Sequence, residues 1–212
     1  MLICDFMWKN IVILSFLFVT NLNAEIKILA FAGSTRSDSA NKKLVVEAAR
    51  LARTMDAQVT YVDLKDYALP FYDGDLEDGE GMPQNAKHLR QLMIQSDLIF
   101  IASPNYNGSP SAVLKNALDW VSRDENGGAS RKAFQGKKFF LMSASPGLKG
   151  GVKGLPPLRV VIENIGGRVI EQFSVPDAYH AFDDQGHLVD AILTKELRRK
   201  IASTIEAGSS AD

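Results

Sequence analysis

The chain has 212 residues, 46% of them hydrophobic and 23% charged, with a formal net charge of −1. That length suits one domain of ordinary size with a real core. The near-neutral balance, with no basic stripe, excludes nucleic acid as a partner held by phosphate electrostatics, and no zinc-type ligand spacing occurs.

Residues 1–24 stand apart. Lys9 precedes the apolar run Ile11–Val19, and Asn21-Leu22-Asn23-Ala24 follows it. A basic flank, a short apolar stretch and a small terminal residue are the pattern of a secretory signal. The run is too short for a comfortable transmembrane helix. The alternative is a start assigned too far upstream of a cytoplasmic protein. The single cysteine, Cys4, lies in this segment, so the chain from 25 onward can form no disulfide and offers no thiolate. The folded domain is expected over 25–207, with 208–212 as a frayed tail.

In chain order, strands are expected near Ile26–Phe31, Gln58–Asp63, Leu98–Ser103, Lys138–Ser143 and Arg168–Phe173. Helices are expected near Asn41–Met55, Pro83–Ser96, Pro110–Ser122, Pro156–Ile165 and Lys195–Glu206. Strands alternating with helices give an α/β fold with a parallel sheet covered on both faces. Two long loops, Lys65–Gly81 and Arg123–Gly136, are left without elements. The acidic residues of the first (Asp73, Asp75, Glu77, Asp78 and Glu80) read as a solvated charge run.

Three loops after successive strands carry the chemistry. The first is Gly33-Ser34-Thr35-Arg36-Ser37-Asp38-Ser39-Ala40-Asn41. It sits between a strand and a helix stripe of Leu44, Val45, Ala48, Leu51, Ala52 and Met55. Hydroxyls, an amide, a guanidinium and helix N-terminal N–H groups are the donors that hold a phosphate. The loop is neither a P-loop nor a dinucleotide G-x-G-x-x-G turn, and it suits a single terminal phosphate. The second, Ser103-Pro104-Asn105-Tyr106-Asn107-Gly108-Ser109-Pro110, follows a wholly apolar run and offers an aromatic face with amide donors and acceptors. The third, Ser143 to Gly151, is rich in glycine, which lets backbone approach a flat ligand. All three would open on one edge of the sheet. His88, His180 and His187 are scattered and read as surface or loop residues.

These residues give the chain a resemblance to the NADPH-dependent FMN reductase family, which includes flavodoxin-like quinone, azo-dye and chromate reductases. The family's phosphate signature, G-S-x-R-x-x-S-x-N, is matched by Gly33, Ser34, Arg36, Ser39 and Asn41. Its P-E-Y-N-G-S and L-K-N-A-x-D-W signatures are matched by Pro104, Tyr106 to Ser109, and Leu114 to Trp120. The third signature, S-x-G-x-x-G-G, fits Ser145, Gly147, Gly150 and Gly151. Asn105 stands where the family has Glu, and the usual proline after Gly-Ser is displaced.

The resemblance implies a flavodoxin-like doubly wound sheet of five parallel strands, in the order 2-1-3-4-5, with FMN where the order reverses. NADPH or NADH would supply electrons, and a small acceptor (quinone, free flavin, azo compound or metal oxyanion) would receive them. Ser34, Arg36, Ser39 and Asn41 would hold the phosphate. Pro104, Asn105, Tyr106 and Asn107 would line the ring and ribityl chain, with Ser145, Gly147 and Gly150 closing the other side. The flavin carries the chemistry, so no acid–base dyad is expected. A homodimer or homotetramer is implied. A flavodoxin-type electron carrier and a non-enzymatic flavin-binding module share the fold. A serine hydrolase is disfavoured, because Ser143-Ala144-Ser145-Pro146-Gly147 lacks the first glycine of a nucleophile elbow.

Overall fold

A computed structural model describes residues 25–209. The signal-like segment with Cys4, and residues 210–212 of the expected tail, lie outside the described residues. Five parallel strands, β1 (Lys27–Ala32), β2 (Gln58–Asp63), β3 (Leu98–Ala102), β4 (Lys138–Ala144) and β5 (Arg168–Val175), form one sheet in the order β2-β1-β3-β4-β5. The helices are α1 (Ala40–Arg53), α2 (Gly74–Glu80), α3 (Gln84–Gln95), α4 (Ala112–Val121), α5 (Leu155–Asn164) and α6 (Ala191–Ser209). This is the flavodoxin-like order expected from the sequence.

The alternation of side chains along each strand builds two cores. Ile28, Ala30 and Ala32 of β1, with Phe100 of β3 and Met142 of β4, pack under α1 and α6. Leu29 and Phe31, with Ile99, Ile101 and Leu141, pack under the helices of the opposite face. Strands β1, β3 and β4 are buried on both sides, which is why they read as unbroken apolar runs. Edge strand β2 is partly exposed along its length and reads as mixed. Helix α1 buries Leu44, Val45, Ala48, Leu51 and Ala52, an apolar stripe at helical spacing.

Helix α2 is an element the sequence did not suggest. It lies inside the acidic loop and has no apolar stripe. Asp73 caps it by accepting from Asp75 N at 2.9 Å. Asp73, Asp75, Asp78 and Glu80 are exposed, as expected of a solvated run, but Glu77 is buried. Its carboxylate accepts from Arg123 Nε at 2.9 Å and from the Tyr72 hydroxyl at 2.9 Å. The second motif's helix holds the same segment. Asn116 accepts from Tyr72 N at 2.8 Å and donates to Pro70 O at 2.9 Å, and Trp120 Nε1 donates to Pro70 O at 2.8 Å. Thus the Asn and Trp of L-K-N-A-x-D-W strap the β2–α3 connection onto α4.

Helix α6 begins four residues before the expected start and continues to Ser209. Gly208 lies in it rather than in a frayed tail. A Cβ added there would come within 2.8 Å of the Leu98 side chain, so the helix end packs against β3. No helix among the described residues is long and apolar enough to cross a membrane.

Candidate functional site

Parallel strands place the loops that follow them on one edge. Gly33 N donates to Ala102 O at 2.9 Å, Ser103 N to Met142 O at 2.8 Å, and Ser145 N to Val175 O at 3.2 Å. Each loop therefore leaves the sheet tied to the next strand. Together they frame a cleft of about 340 Å³, within the roughly 300–1,000 Å³ range of small-molecule sites.

The first loop supplies Ser34, Arg36, Asp38, Ser39 and Asn41 to that cleft, and α1 adds Lys43. Gly33 has no room for a side chain, because an added Cβ would lie 2.8 Å from Leu114 Cβ. Ser111 caps α4 and donates its hydroxyl to Gly33 O at 2.5 Å, which fixes the start of the loop against the second motif. Three of the expected phosphate donors have partners in the protein, and Ser34 Oγ accepts from Arg36 N at 3.3 Å. Ser39 Oγ caps α1, accepting from Lys42 N at 3.4 Å. The Asn41 carboxamide is bound on both sides to the backbone of Ala144, at 3.0 and 2.9 Å. Asn41 thus ties the phosphate loop to β4 instead of presenting its amide freely.

The charge around the loop is mixed. Lys43 Nζ lies 2.9 Å from Asp38 Oδ1, and both side chains are well exposed. The hydrogen bond from Lys43, helped by the Arg36 guanidinium, holds the Asp38 carboxyl below the usual carboxylate range. Lys42 is occupied by Asp63 at 2.6 Å, and Lys65 Nζ by Ser37 Oγ at 3.1 Å.

The second loop supplies Pro104, Asn105 and Tyr106. Tyr106 and Ser109 exchange backbone hydrogen bonds at 3.0 Å in both directions across Asn107-Gly108. Asn107 has φ 54° and Gly108 φ 80°, the left-handed pair of a tight hairpin turn. Asn107 therefore makes the turn, and it lies off the cleft lining. Tyr106 is 61% exposed at the rim. Asn105 turns inward, where a Cβ on Gly154 would come within 3.1 Å of its Oδ1.

From the third loop, Ser145 and Pro146 line the cleft, while Gly147 and Gly150 lie off it. Gly150 has φ +57°, and a Cβ there would strike the backbone of Val175 at 2.7 Å. Its absent side chain lets the loop pack against the β5 end. A fourth loop, missed from the sequence, adds Ala178 and Tyr179. Ala178 N donates to Ser145 O at 3.1 Å, and Asp177 has φ 46°, which sets the turn that presents Tyr179. Strand β5 being parallel to the others was the available signal, because its loop had to open on the same edge. Asp38 and Lys43 were likewise not singled out, although they lie within or beside the first motif.

The residues present fit a flavin mononucleotide. Arg36 and Ser34 line the cleft beside the N-terminus of α1, and their side chains are the donor types that suit one phosphate. Beyond it, Pro104 and Tyr106 give an apolar and aromatic wall. Asn105 Oδ1 and Ser143 Oγ are buried with no hydrogen-bond partner among the described residues. No cluster of three or more metal-ligating side chains occurs among the described residues.

Fold and cleft together define a flavodoxin-like α/β protein with a polar cleft at the switch point of its sheet. Residues 26–180 match the family model described as NADPH-dependent FMN reductase, and the chain belongs to that family. It is 32% identical over 197 residues to an NADPH:quinone oxidoreductase of Arabidopsis thaliana, covering 89% of this chain and 94% of that one. It is 30% identical over 171 residues to an NAD(P)H-dependent FMN reductase of Pseudomonas aeruginosa, covering 80% and 88%. Among solved structures, a flavoenzyme NAD(P)H:acceptor oxidoreductase from Paracoccus denitrificans superposes with a TM-score of 0.68 at 25% identity, covering 85% of this chain and 96% of that one. The chain is accordingly an NAD(P)H-dependent oxidoreductase.

Proposed function

We propose that the protein holds FMN in this cleft and passes electrons from NADPH, or NADH, to a small acceptor. The observation that carries the reading is the convergence of Arg36, Ser34 and the α1 N-terminus on the same cleft as Pro104 and Tyr106. One end is built for a dianion and the other for a flat ring. Arg36 supplies a fork of donors to the phosphate, and Ser34 adds a hydroxyl. Ser39 acts through the helix cap, and Asn41 through its tie to Ala144. Pro104, Asn105 and Tyr106 orient the ring from one side, and Ser145 from the other. FMN held there supplies transfer of two electrons from the nicotinamide to the acceptor. The protein's own groups bind, orient and keep the ring accessible, and no side chain in the cleft is required as acid or base.

Quinone is the favoured acceptor class, supported by the quinone oxidoreductase names of several relatives. Free flavin, azo compounds and metal oxyanions are the other acceptors of this reading. It also includes a homodimer or homotetramer, which the family resemblance implies. The signal-like residues 1–24 favour export, with a cytoplasmic protein as the alternative.

Reconstitution of the apo-protein with FMN, FAD and riboflavin, followed by gel filtration and chromatography of the released flavin, tests the reading. Retention of FMN above the other two is expected. Preference for FAD, or retention of no flavin, would refute it.

A further inference from the structure

Asp38 is a carboxylate in a loop that otherwise gathers phosphate donors. It lines the cleft with Arg36 and Lys43, and its Oδ1 lies 2.9 Å from Lys43 Nζ. Of the other lysines next to the loop, Lys42 is paired with Asp63, and Lys65, which donates to the Ser37 hydroxyl, lies off the cleft lining. Arg36 and Lys43 are therefore the side-chain cations that the cleft offers to an anion, and Asp38 cancels one of them.

We infer that Asp38 sets the affinity for flavin phosphate, by occupying Lys43 and by repelling the dianion. The inference rests on the flavin reading above and concerns how strongly the site grips its ligand. With Asp38 ionised, Arg36 and Lys43 leave a formal charge of +1 at the phosphate end; without it the charge is +2. A phosphate monoester carries about −1.5 to −2 at neutral pH. For a separation of roughly 6–10 Å in a water-like medium, removing a unit charge would change affinity by about three- to tenfold. The effect is confined to ligands that carry the phosphate, because the ring end of the cleft is uncharged. It also falls with salt, because Asp38 and Lys43 are both exposed. The Lys43 ammonium does little for the phosphate while Asp38 holds it, and more once Asp38 is neutral. A grip weakened in this way favours exchange of FMN between protein and solution, since affinity changes of this kind fall mainly on dissociation.

The test is a fluorescence titration of the apo-protein with FMN and with riboflavin, at low and at high ionic strength. Wild type, Asp38→Asn, Lys43→Gln and the double variant are compared. Asp38→Asn should lower the Kd for FMN about three- to tenfold at low salt. It should leave riboflavin unchanged, and the gain should shrink at high salt. Lys43→Gln should weaken FMN binding more in the Asp38→Asn background than in wild type, a coupling the double-mutant cycle reads directly. An FMN Kd unchanged or raised by Asp38→Asn would overturn the inference, as would an equal gain for riboflavin. A wild-type protein that binds neither flavin would overturn the flavin reading itself, and the inference with it.

Discussion

Asn41 and Ala144 hold each other in both directions. Asn41 Nδ2 donates to Ala144 O at 3.0 Å, and Ala144 N donates to Asn41 Oδ1 at 2.9 Å. The two residues are 103 positions apart and both are buried. A side chain in the phosphate motif thus replaces a neighbouring strand at the end of β4, and it fixes α1 relative to the third loop.

Asn41→Ala should therefore act first on stability. It leaves a buried N–H and a buried C=O without partners, and each such group costs about 1–3 kcal/mol. A loss of roughly 2–4 kcal/mol in urea unfolding of the apo-protein is expected. A loss within about 0.5 kcal/mol, the range of an ordinary surface substitution, would show that the pair contributes little.

Arg36→Ala should act on affinity and not on the fold. A hydrogen bond to a charged group is worth about 1.5–3 kcal/mol, or roughly ten- to a hundredfold in the Kd for FMN. The rate of reduction by NADPH at saturating FMN should change little, because Arg36 lies at the phosphate end. Stopped-flow reduction beside a fluorescence titration separates the two effects. An unchanged Kd would place the phosphate elsewhere.

Glu77 and Arg123 should give a pH-dependent contribution to stability. The hydrogen bond from Arg123, with that from Tyr72, holds the buried Glu77 carboxyl below its ordinary value near 4.5, against the effect of burial. The folded value lies below the unfolded one, so the contribution is complete above about 4.5 and is lost as pH falls through the folded value. Glu77→Gln should cost about 1–3 kcal/mol at neutral pH. The gap between variant and wild type should narrow as acid is added. A gap independent of pH between about 7 and 3.5 would contradict the assignment.

Asn105→Glu tests one of the two departures from the family's second motif. Asn105 Oδ1 is buried against Gly154 without a partner. A carboxylate placed there would be desolvated, which raises its pKa. Where it is ionised, its charge disfavours the anionic reduced flavin, so the midpoint potential should fall. The fall should grow as pH rises through the carboxyl's titration. Asn105→Gln should leave the potential nearly unchanged. Potentials measured against a reference dye at several pH values decide this. Equal potentials for wild type and Asn105→Glu at all of them would mean that residue 105 exerts no charge effect on the ring.

Much of this site was legible because its signals are local. The apolar runs of β1, β3 and β4 reflect burial on both faces, and the strand–loop–helix order around Ser34 and Arg36 places these polar residues at the cleft without tertiary information. What was hidden depends on contacts distant in sequence. Asn41 reads as a ligand until Ala144 is seen beside it, and Gly150 reads as a close approach to ligand until the β5 end is seen against it. Asn107 reads as a donor, but its φ of 54° assigns it to the turn. Helix α2 has no periodic stripe, and it is anchored by the buried Glu77 carboxylate, held from Arg123, and by Leu76 against Trp120 and its neighbours. Tyr179 enters the cleft from a loop without a motif, through the hydrogen bond between Ala178 and Ser145.

The most direct measurement is an anaerobic titration of the FMN-loaded protein with NADPH, and separately with NADH, followed by its visible spectrum. About one equivalent of reduced nicotinamide should bleach the flavin band, as expected of a two-electron cofactor, and a quinone added afterwards should restore it. A protein that retains FMN but is bleached by neither nicotinamide would contradict the account.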